Sequence, residues 1–157
     1  MWWRKPRAKY EAGKGEVNRA SMHELVHGGG VPGLIAYANG EPAGWCSIGP
    51  RSDFVRLNNS RTLQPIDNQP VWSIVCLFIR KQHRRRGMSV ALINAACEFA
   101  SHRGARLVEG YPVVPGKPEV PDMTAWTGFP SIFERAGFTL VARPTDARAI
   151  YRREVRA

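Results

Sequence analysis

The sequence predicts a mixed α/β fold, a central β-sheet flanked by helices, in a single domain over residues 1–157. Three observations predict it. Residues 71–79 (VWSIVCLFI) are almost continuously apolar and rich in β-branched and aromatic side chains, the pattern of a strand buried on both faces in mid-sheet. After a basic turn, Met88, Leu92, Ala95, Ala96 and Phe99 recur at helical spacing, with Gly104 as the stop. Asn39-Gly40 separates Leu34–Tyr37 from Ala43–Cys46, a hairpin signal because both turn residues must take positive φ.

The remaining elements follow in chain order. Asn18 caps a predicted helix over residues 19–27, with Val17 and Met22 placed as a hydrophobic staple and Gly28-Gly29-Gly30 ending it. Residues 50–70 are polar and form a connection with room for a short strand. Ala105–Val114 is a further strand. Pro112, Pro115, Pro118 and Pro121 then forbid regular structure and mark an exposed loop over 112–128. A short helix over Pro130–Ala136 closes at Gly137, and Phe138–Ala142 pairs with Ala149–Tyr151 as the last two strands. Trp45 and Trp72 read as core. Trp2, Trp3 and Trp126 either line an acceptor pocket or cover the sheet edge.

Composition excludes several classes. With 157 residues, 43% hydrophobic and 23% charged, the chain is too apolar for disorder and large enough to bury a core without cross-links. Cys46, Cys76 and Cys97 lack the spacing of a zinc site or a disulfide framework, so no metal is expected. The thiols predict a reducing compartment. No apolar stretch follows the basic N-terminus and none is long enough to span a bilayer. A soluble cytoplasmic protein with no membrane partner is the expectation. The formal net charge is +10, and 18 of the 23 basic residues are arginine. That excess predicts an anionic partner.

The densest charge, Arg80-Lys-Gln-His-Arg-Arg-Arg86, lies between the central strand and the long helix. A helix start leaves backbone N–H groups unpaired and carries partial positive charge, so it is a natural anion site. Gly87 gives an anion access to the backbone, and Ser89 adds a hydroxyl donor. No aromatic residue is interleaved with the run, which argues against nucleic-acid stacking. Here the sequence resembles the GNAT N-acyltransferases. Arg84-Arg85-Arg86-Gly87-Met88-Ser89 is similar to their acyl-CoA motif, [Q/R]-x-x-G-x-[G/A]. Ser131–Phe138 (SIFERAGF) resembles their second motif, an aromatic followed by Glu-Lys-x-Gly-Phe. Gly40-Glu-Pro-Ala-Gly44 is similar to the turn between their second and third strands. The resemblance spans residues 33 to about 153.

The resemblance implies a splayed sheet with a cofactor, acetyl-CoA, lying in the splay as a false strand. Backbone groups of Phe78 and Ile79 would pair with pantetheine amides. N–H groups from Arg84 through Arg85, Arg86, Gly87 and Met88 to Ser89 would hold the pyrophosphate, with Arg84 also donating from its side chain. Phe133 would pack near the thioester. The implied reaction is direct attack of a small-molecule or peptide amine on that thioester, which needs a neutral amine, a polarised carbonyl and a proton for the leaving thiolate. A backbone N–H at the end of the central strand can polarise the carbonyl.

Glu109 interrupts an apolar strand beside the expected splay and is the candidate base, or else an arginine-paired structural carboxylate. Phe133 stands where many family members carry Tyr and cannot donate a proton, so Tyr111, Ser131 or water would serve. Ser89 stands where Gly or Ala is usual. The family's first strand is represented only by Trp2-Trp3-Arg4. His23 and His27 read as surface histidines, and Cys76 as packing rather than an acylated nucleophile.

The expected function is therefore acetyl transfer from acetyl-CoA to a primary amine, with residues 16–30 and 112–128 shaping the acceptor site. A catalytically weak CoA-binding regulatory module and a basic nucleic-acid-binding domain are the alternatives. The sequence leaves the acceptor and oligomeric state open, a homodimer included. Arg4, Arg7, Arg51, Arg56, Arg61, Arg148, Arg152, Arg153 and Arg156 carry no assignment. Contact with a cofactor 3′-phosphate, preference for an acidic acceptor, and simple solubility all remain open for them.

Overall fold

The computed structural model describes residues 1–116 and 126–156. Two helices, α1 (Arg7–Ala12) and α2 (Glu16–His27), precede the first strands, β1 (Gly33–Ala38) and β2 (Glu41–Pro50). The β1–β2 hairpin turns at Asn39 and Gly40 with φ of 52° and 80°, the left-handed pair that the Asn-Gly signal predicts. A 3₁₀ turn at Arg51–Asp53 and the one-turn helix α3 (Val55–Asn58) lead to β3 (Trp72–Ile79). Then come α4 (Met88–Ser101), β4 (Leu107–Gly110), α5 (Pro130–Arg135), β5 (Thr139–Thr145) and β6 (Arg148–Glu154). The sheet order is β1-β2-β3-β4-β6-β5. Every neighbouring pair is antiparallel except β3 and β4, which run parallel, as a strand–helix–strand crossover requires.

Apolar side chains of α4, among them Leu92, Ile93, Ala96 and Ala100, cover one face of the sheet against Cys46, Ile48, Ile74 and Val108. The opposite face carries a smaller core of Phe54, Leu57, Leu63, Val75, Tyr111 and Ile150. No helix among the described residues is long and apolar enough to cross a membrane.

Several expectations need correction. The second helix starts at Glu16, with Gly15 rather than Asn18 at the cap. Asn18 is buried inside the helix; its side-chain N–H donates to the Tyr10 carbonyl at 2.9 Å and its oxygen accepts from Lys5 Nζ at 3.1 Å. Those tertiary partners outweigh its capping preference. Val17 is 62% exposed and forms no staple. Residues 2–4 make a turn rather than a strand, and residues 50–70 hold helical turns instead of a strand. The strand expected over 105–114 stops at Gly110, because only Val113 regains a bridge, to Arg148. Trp45 and Trp72 are half-buried rather than core. Pro118 and Pro121 lie outside the described residues.

Gly110 at the end of β4 permits a close approach. A Cβ there would come within 2.1 Å of the Phe133 ring, and that ring is fully buried and packs edge-on against Phe138. Gly110→Ala is expected to destabilise the protein by about 1–3 kcal/mol, as overpacking does in a core that cannot yield. A lowered urea midpoint with an unchanged slope is the readout.

Candidate active site

The site begins where β3 and β4 part. Their pairing covers Trp72–Ile74 against Val108–Gly110 and goes no further. The β2–β3 register steps from Ser47↔Cys76 to Ile48↔Ile74, so Val75 is an extra residue that bends β3 at this point. Beyond it the open edge of β3 has no strand partner. The Leu77 N–H donates instead to the Trp126 carbonyl at 2.6 Å. Phe78, 53% exposed, marks the opening.

Backbone alternation corrects one expected role. The Arg80 N–H is bonded to Ala43 of β2, so by strand periodicity the backbone groups of Phe78 also face β2. Leu77 and Ile79 are the residues that face the gap. The Ile79 carbonyl accepts from Arg84 Nε at 3.0 Å, which ties the basic turn to the strand end. Phe78 can offer the cleft its ring, not its amide.

The turn itself winds through a 3₁₀ segment at Lys81–His83, then Arg85 with φ 60° and Gly87 with φ 81°. Gly87 occupies the N-cap of α4, no side chain caps the helix, and the first helical bond runs from Ala91 N–H to the Gly87 carbonyl. The N–H groups of Met88, Ser89 and Val90 are therefore free of intrahelical acceptors. An added Cβ at Gly87 would meet nothing within 4 Å, so the approach to these donors is open. The adjoining cleft has a volume of about 840 Å³ and is bordered by Phe78, Ile79, Arg84, Arg85 and the first turn of α4, with Phe129 and Ile132 opposite. Arg86 does not line it.

Phe133 is displaced from its expected place. It is fully buried, edge-on to Phe138 and stacked on Tyr151, while its neighbour Ile132 borders the cleft. Helix α5 presents one residue to the cleft and the next to the core. The start of α5 at Pro130 is readable in the sequence, but the face it buries depends on the docking angle.

Glu109 and Tyr111 belong to a buried network outside the cleft. Arg152 donates to one Glu109 oxygen from Nε at 3.0 Å and from Nη2 at 2.7 Å. The Tyr111 hydroxyl donates to the other at 2.7 Å and accepts from Arg51 at 3.0 Å. Ser73 Oγ lies 2.8 Å from the same hydroxyl. Both Glu109 and Tyr111 are 1% exposed. Burial, reinforced by the Glu109 charge, pushes the Tyr111 hydroxyl well above its ordinary value, so it holds its proton. With three hydrogen bonds accepted and its side chain buried, Glu109 sits in this network and lines neither cavity.

Arg152 also pairs with Asp67 at 2.6 Å. The hydrogen bond from Arg152, then that from the Gln69 backbone, holds the Asp67 carboxyl down at about 2. A depressed carboxyl stabilises the fold above its unfolded value, near 3.8, and loses that contribution as pH falls toward 2. An Asp67 NMR titration is expected to show a midpoint near 2, moving back toward 3.8 in Arg152→Gln.

A second cavity, of about 530 Å³, lies beside the first and shares Trp126 with it. Trp2 and Trp3 flank Trp126 at centroid distances of 5.4 and 6.2 Å. Arg7, Arg56 and Arg148 line the same cavity. The sequence grouped Trp2, Trp3 and Trp126 and left a pocket wall and a sheet-edge cover both open for them; here they line this cavity, and for the arginines beside them there was no local signal. Among the described residues, no carboxylate lines either cavity. His23 and His27 stack at 4.0 Å on the exposed face of α2. Burial raises the half-buried Cys76 thiol above its ordinary value. Among the described residues, no group of three or more metal-ligating side chains could hold an ion.

Parallel strands that part above a helix start with open N–H groups fit an acyl-group transferase architecture. The family model of the acetyltransferase (GNAT) family matches residues 1–115, and the chain belongs to that family. Solved structures share the fold. A ribosomal-protein-alanine N-acetyltransferase from Brucella melitensis is 15% identical with a TM-score of 0.57, covering 88% of this chain and 77% of that one. A GNAT acetyltransferase from Streptococcus agalactiae is 14% identical with a TM-score of 0.56, covering 95% and 78%. One from Desulfovibrio desulfuricans is 19% identical with a TM-score of 0.54, covering 88% and 76%. No curated protein is similar enough in sequence to match.

Proposed function

We propose that the protein transfers an acetyl group from acetyl-CoA to a primary amine. The observation that carries this reading is the meeting of two cavities at Trp126, one floored by the anion-binding turn and the other walled by aromatic rings. The turn suits a pyrophosphate. Its donors converge, Gly87 leaves them uncovered, and Arg84 and Arg85 border the same space. Backbone N–H groups from Arg84 to Ser89 would hold the diphosphate, the Ile79 N–H would meet a pantetheine carbonyl, and Ile132 would pack against the chain. When bound, acetyl-CoA supplies an activated thioester.

The residues of this chain would then do three things. Leu77, whose N–H now serves the Trp126 carbonyl, would offer that donor to the carbonyl under attack in exchange for Trp126. The aromatic walls would exclude water. Arg7, Arg56 and Arg148 would disfavour the protonated form of an incoming amine, since like charges lower its pKa. That field would favour the neutral amine without a dedicated base, since no carboxylate among the described residues lines either cavity. The proton for the thiolate would come from the amine itself or from water. The free thiols Cys46, Cys76 and Cys97 fit a cytoplasmic setting.

Calorimetry with CoA and thiol release from acetyl-CoA with an amine panel test the reading. Micromolar CoA binding and thiol release are expected; absence of CoA binding to folded protein overturns it. The buried Phe133 in place of the family's tyrosine favours a second reading, a CoA-binding regulatory module. Binding without thiol release from any amine would select it. Affinity for nucleic acid that falls steeply with salt, with indifference to CoA, would select a nucleic-acid-binding domain instead.

A further inference from the structure

We infer that the second cavity takes a small aminocarboxylate acceptor with an apolar planar side chain, such as an aromatic amino acid. The inference rests on the acyl-transfer reading for its reaction, but not for its binding chemistry.

Two donors in this cavity wall lack partners. Arg56 Nη1 and Trp3 Nε1 are buried from water and make no hydrogen bond. They come from adjacent pieces of chain, because the Arg56 N–H donates to the Trp3 carbonyl at 3.1 Å. A buried donor without an acceptor is costly, and native structures rarely keep two side by side. Neither atom is reached by solvent as the side chains stand, so a small shift of the Arg56 head group is what would present it to an acceptor in the cavity. A carboxylate is acceptor-only and has lone pairs for both.

The charge of the cavity agrees. Among the described residues its lining holds three arginines and no acid. Arg148 is already committed to Thr127 Oγ1 at 3.0 Å and to the Tyr111 carbonyl at 3.4 Å, so it contributes charge more than a new bond. The nearby acid Glu11 is paired with Lys14 and also feels the Arg56 charge, but it does not line the cavity. The Arg56 guanidinium lies over the Trp2 ring at 3.4 Å, which holds the fork in place at the cavity wall. Trp2, Trp3 and Trp126 leave apolar faces for a planar group.

Orientation follows from the layout. The carboxylate would dock at Arg56 and Trp3, and the amine would point toward Trp126, the wall shared with the first cavity. A neutral amine of the same size would leave both donors unsatisfied, so discrimination should be large.

Three matched probes decide: L-phenylalanine, L-phenylalaninamide and 2-phenylethylamine, which share a ring and an amine but differ at the carboxyl. Tryptophan fluorescence with CoA present should report L-phenylalanine binding, weakened about 10- to 100-fold in Arg56→Gln by loss of a charge-assisted bond. Arg56→Lys should recover part of it, and calorimetric CoA affinity should be unchanged in both variants. In thiol release, kcat/KM should favour L-phenylalanine over both probes that lack the carboxylate by at least about tenfold. Equal or better use of those two probes overturns the inference, as does L-phenylalanine binding that ignores Arg56→Gln. CoA binding with no L-phenylalanine binding also overturns it. Failure to bind CoA would instead overturn the acyl-transfer reading, and the fluorescence titration without CoA would still judge the cavity.

Discussion

Gly87→Glu is expected to abolish CoA binding while leaving a folded protein. Gly87 has φ 81°, so any L side chain there adds about 1–2 kcal/mol of backbone strain. For a chain of this size that lowers Tm by roughly 2–8 °C. The side chain itself has room, since nothing lies within 4 Å of the added Cβ. That same open space is where the proposed pyrophosphate would sit. A carboxylate within a few ångströms of a diphosphate replaces attraction by repulsion at the point where the helix start and the arginines are meant to act. Calorimetry should show a loss of at least about 100-fold, with Gly87→Ala intermediate because it carries the strain without the charge. Unchanged CoA affinity in Gly87→Glu would remove the turn from the binding site.

Glu109→Gln is expected to destabilise the fold strongly without altering how the rate depends on pH. Glu109 is the acceptor that Arg152, Tyr111 and the nearby Arg51, 3.8 Å away, share in the sheet interior. Removing the charge leaves Arg51 buried and uncompensated, and the amide N–H₂ would face other donors. Breaking such a pair costs about 3–5 kcal/mol, a Tm decrease of roughly 6–20 °C. The folded fraction should keep its kcat/KM pH profile. Loss of the rising limb of that profile would instead make Glu109 the base.

How much was legible in the sequence varied with the range of the interactions involved. The hairpin at Asn39-Gly40, the buried strand over 71–79 and the helix after Gly87 each rest on local chemistry: a turn that needs positive φ, a period of burial, a helix start. All three stand in the structure. Asn18 was misread because its partners, Tyr10 in α1 and Lys5 in the turn before it, come from a segment with no strong signal of its own. Phe133 was misread because the face α5 buries depends on how Gly110 admits the ring. Phe78 was misread because which edge an amide faces depends on the β2–β3 register.

The arginine excess shows the division most clearly. Composition alone determined that the protein carries a net charge of +10, and the turn before α4 determined that part of it sits at a helix start with open N–H groups. Only the tertiary structure decided the rest. It commits Arg51 and Arg152 to a buried carboxylate, Arg4 to Asp53, and Arg153 to Asn94 and the Ala136 carbonyl. It brings Arg7, Arg56 and Arg148, from three distant segments, to one cavity beside the tryptophans. The physical reason is range. A helix start or a tight turn is satisfied by neighbours in the chain, whereas a guanidinium finds its partner wherever the packed chain places one.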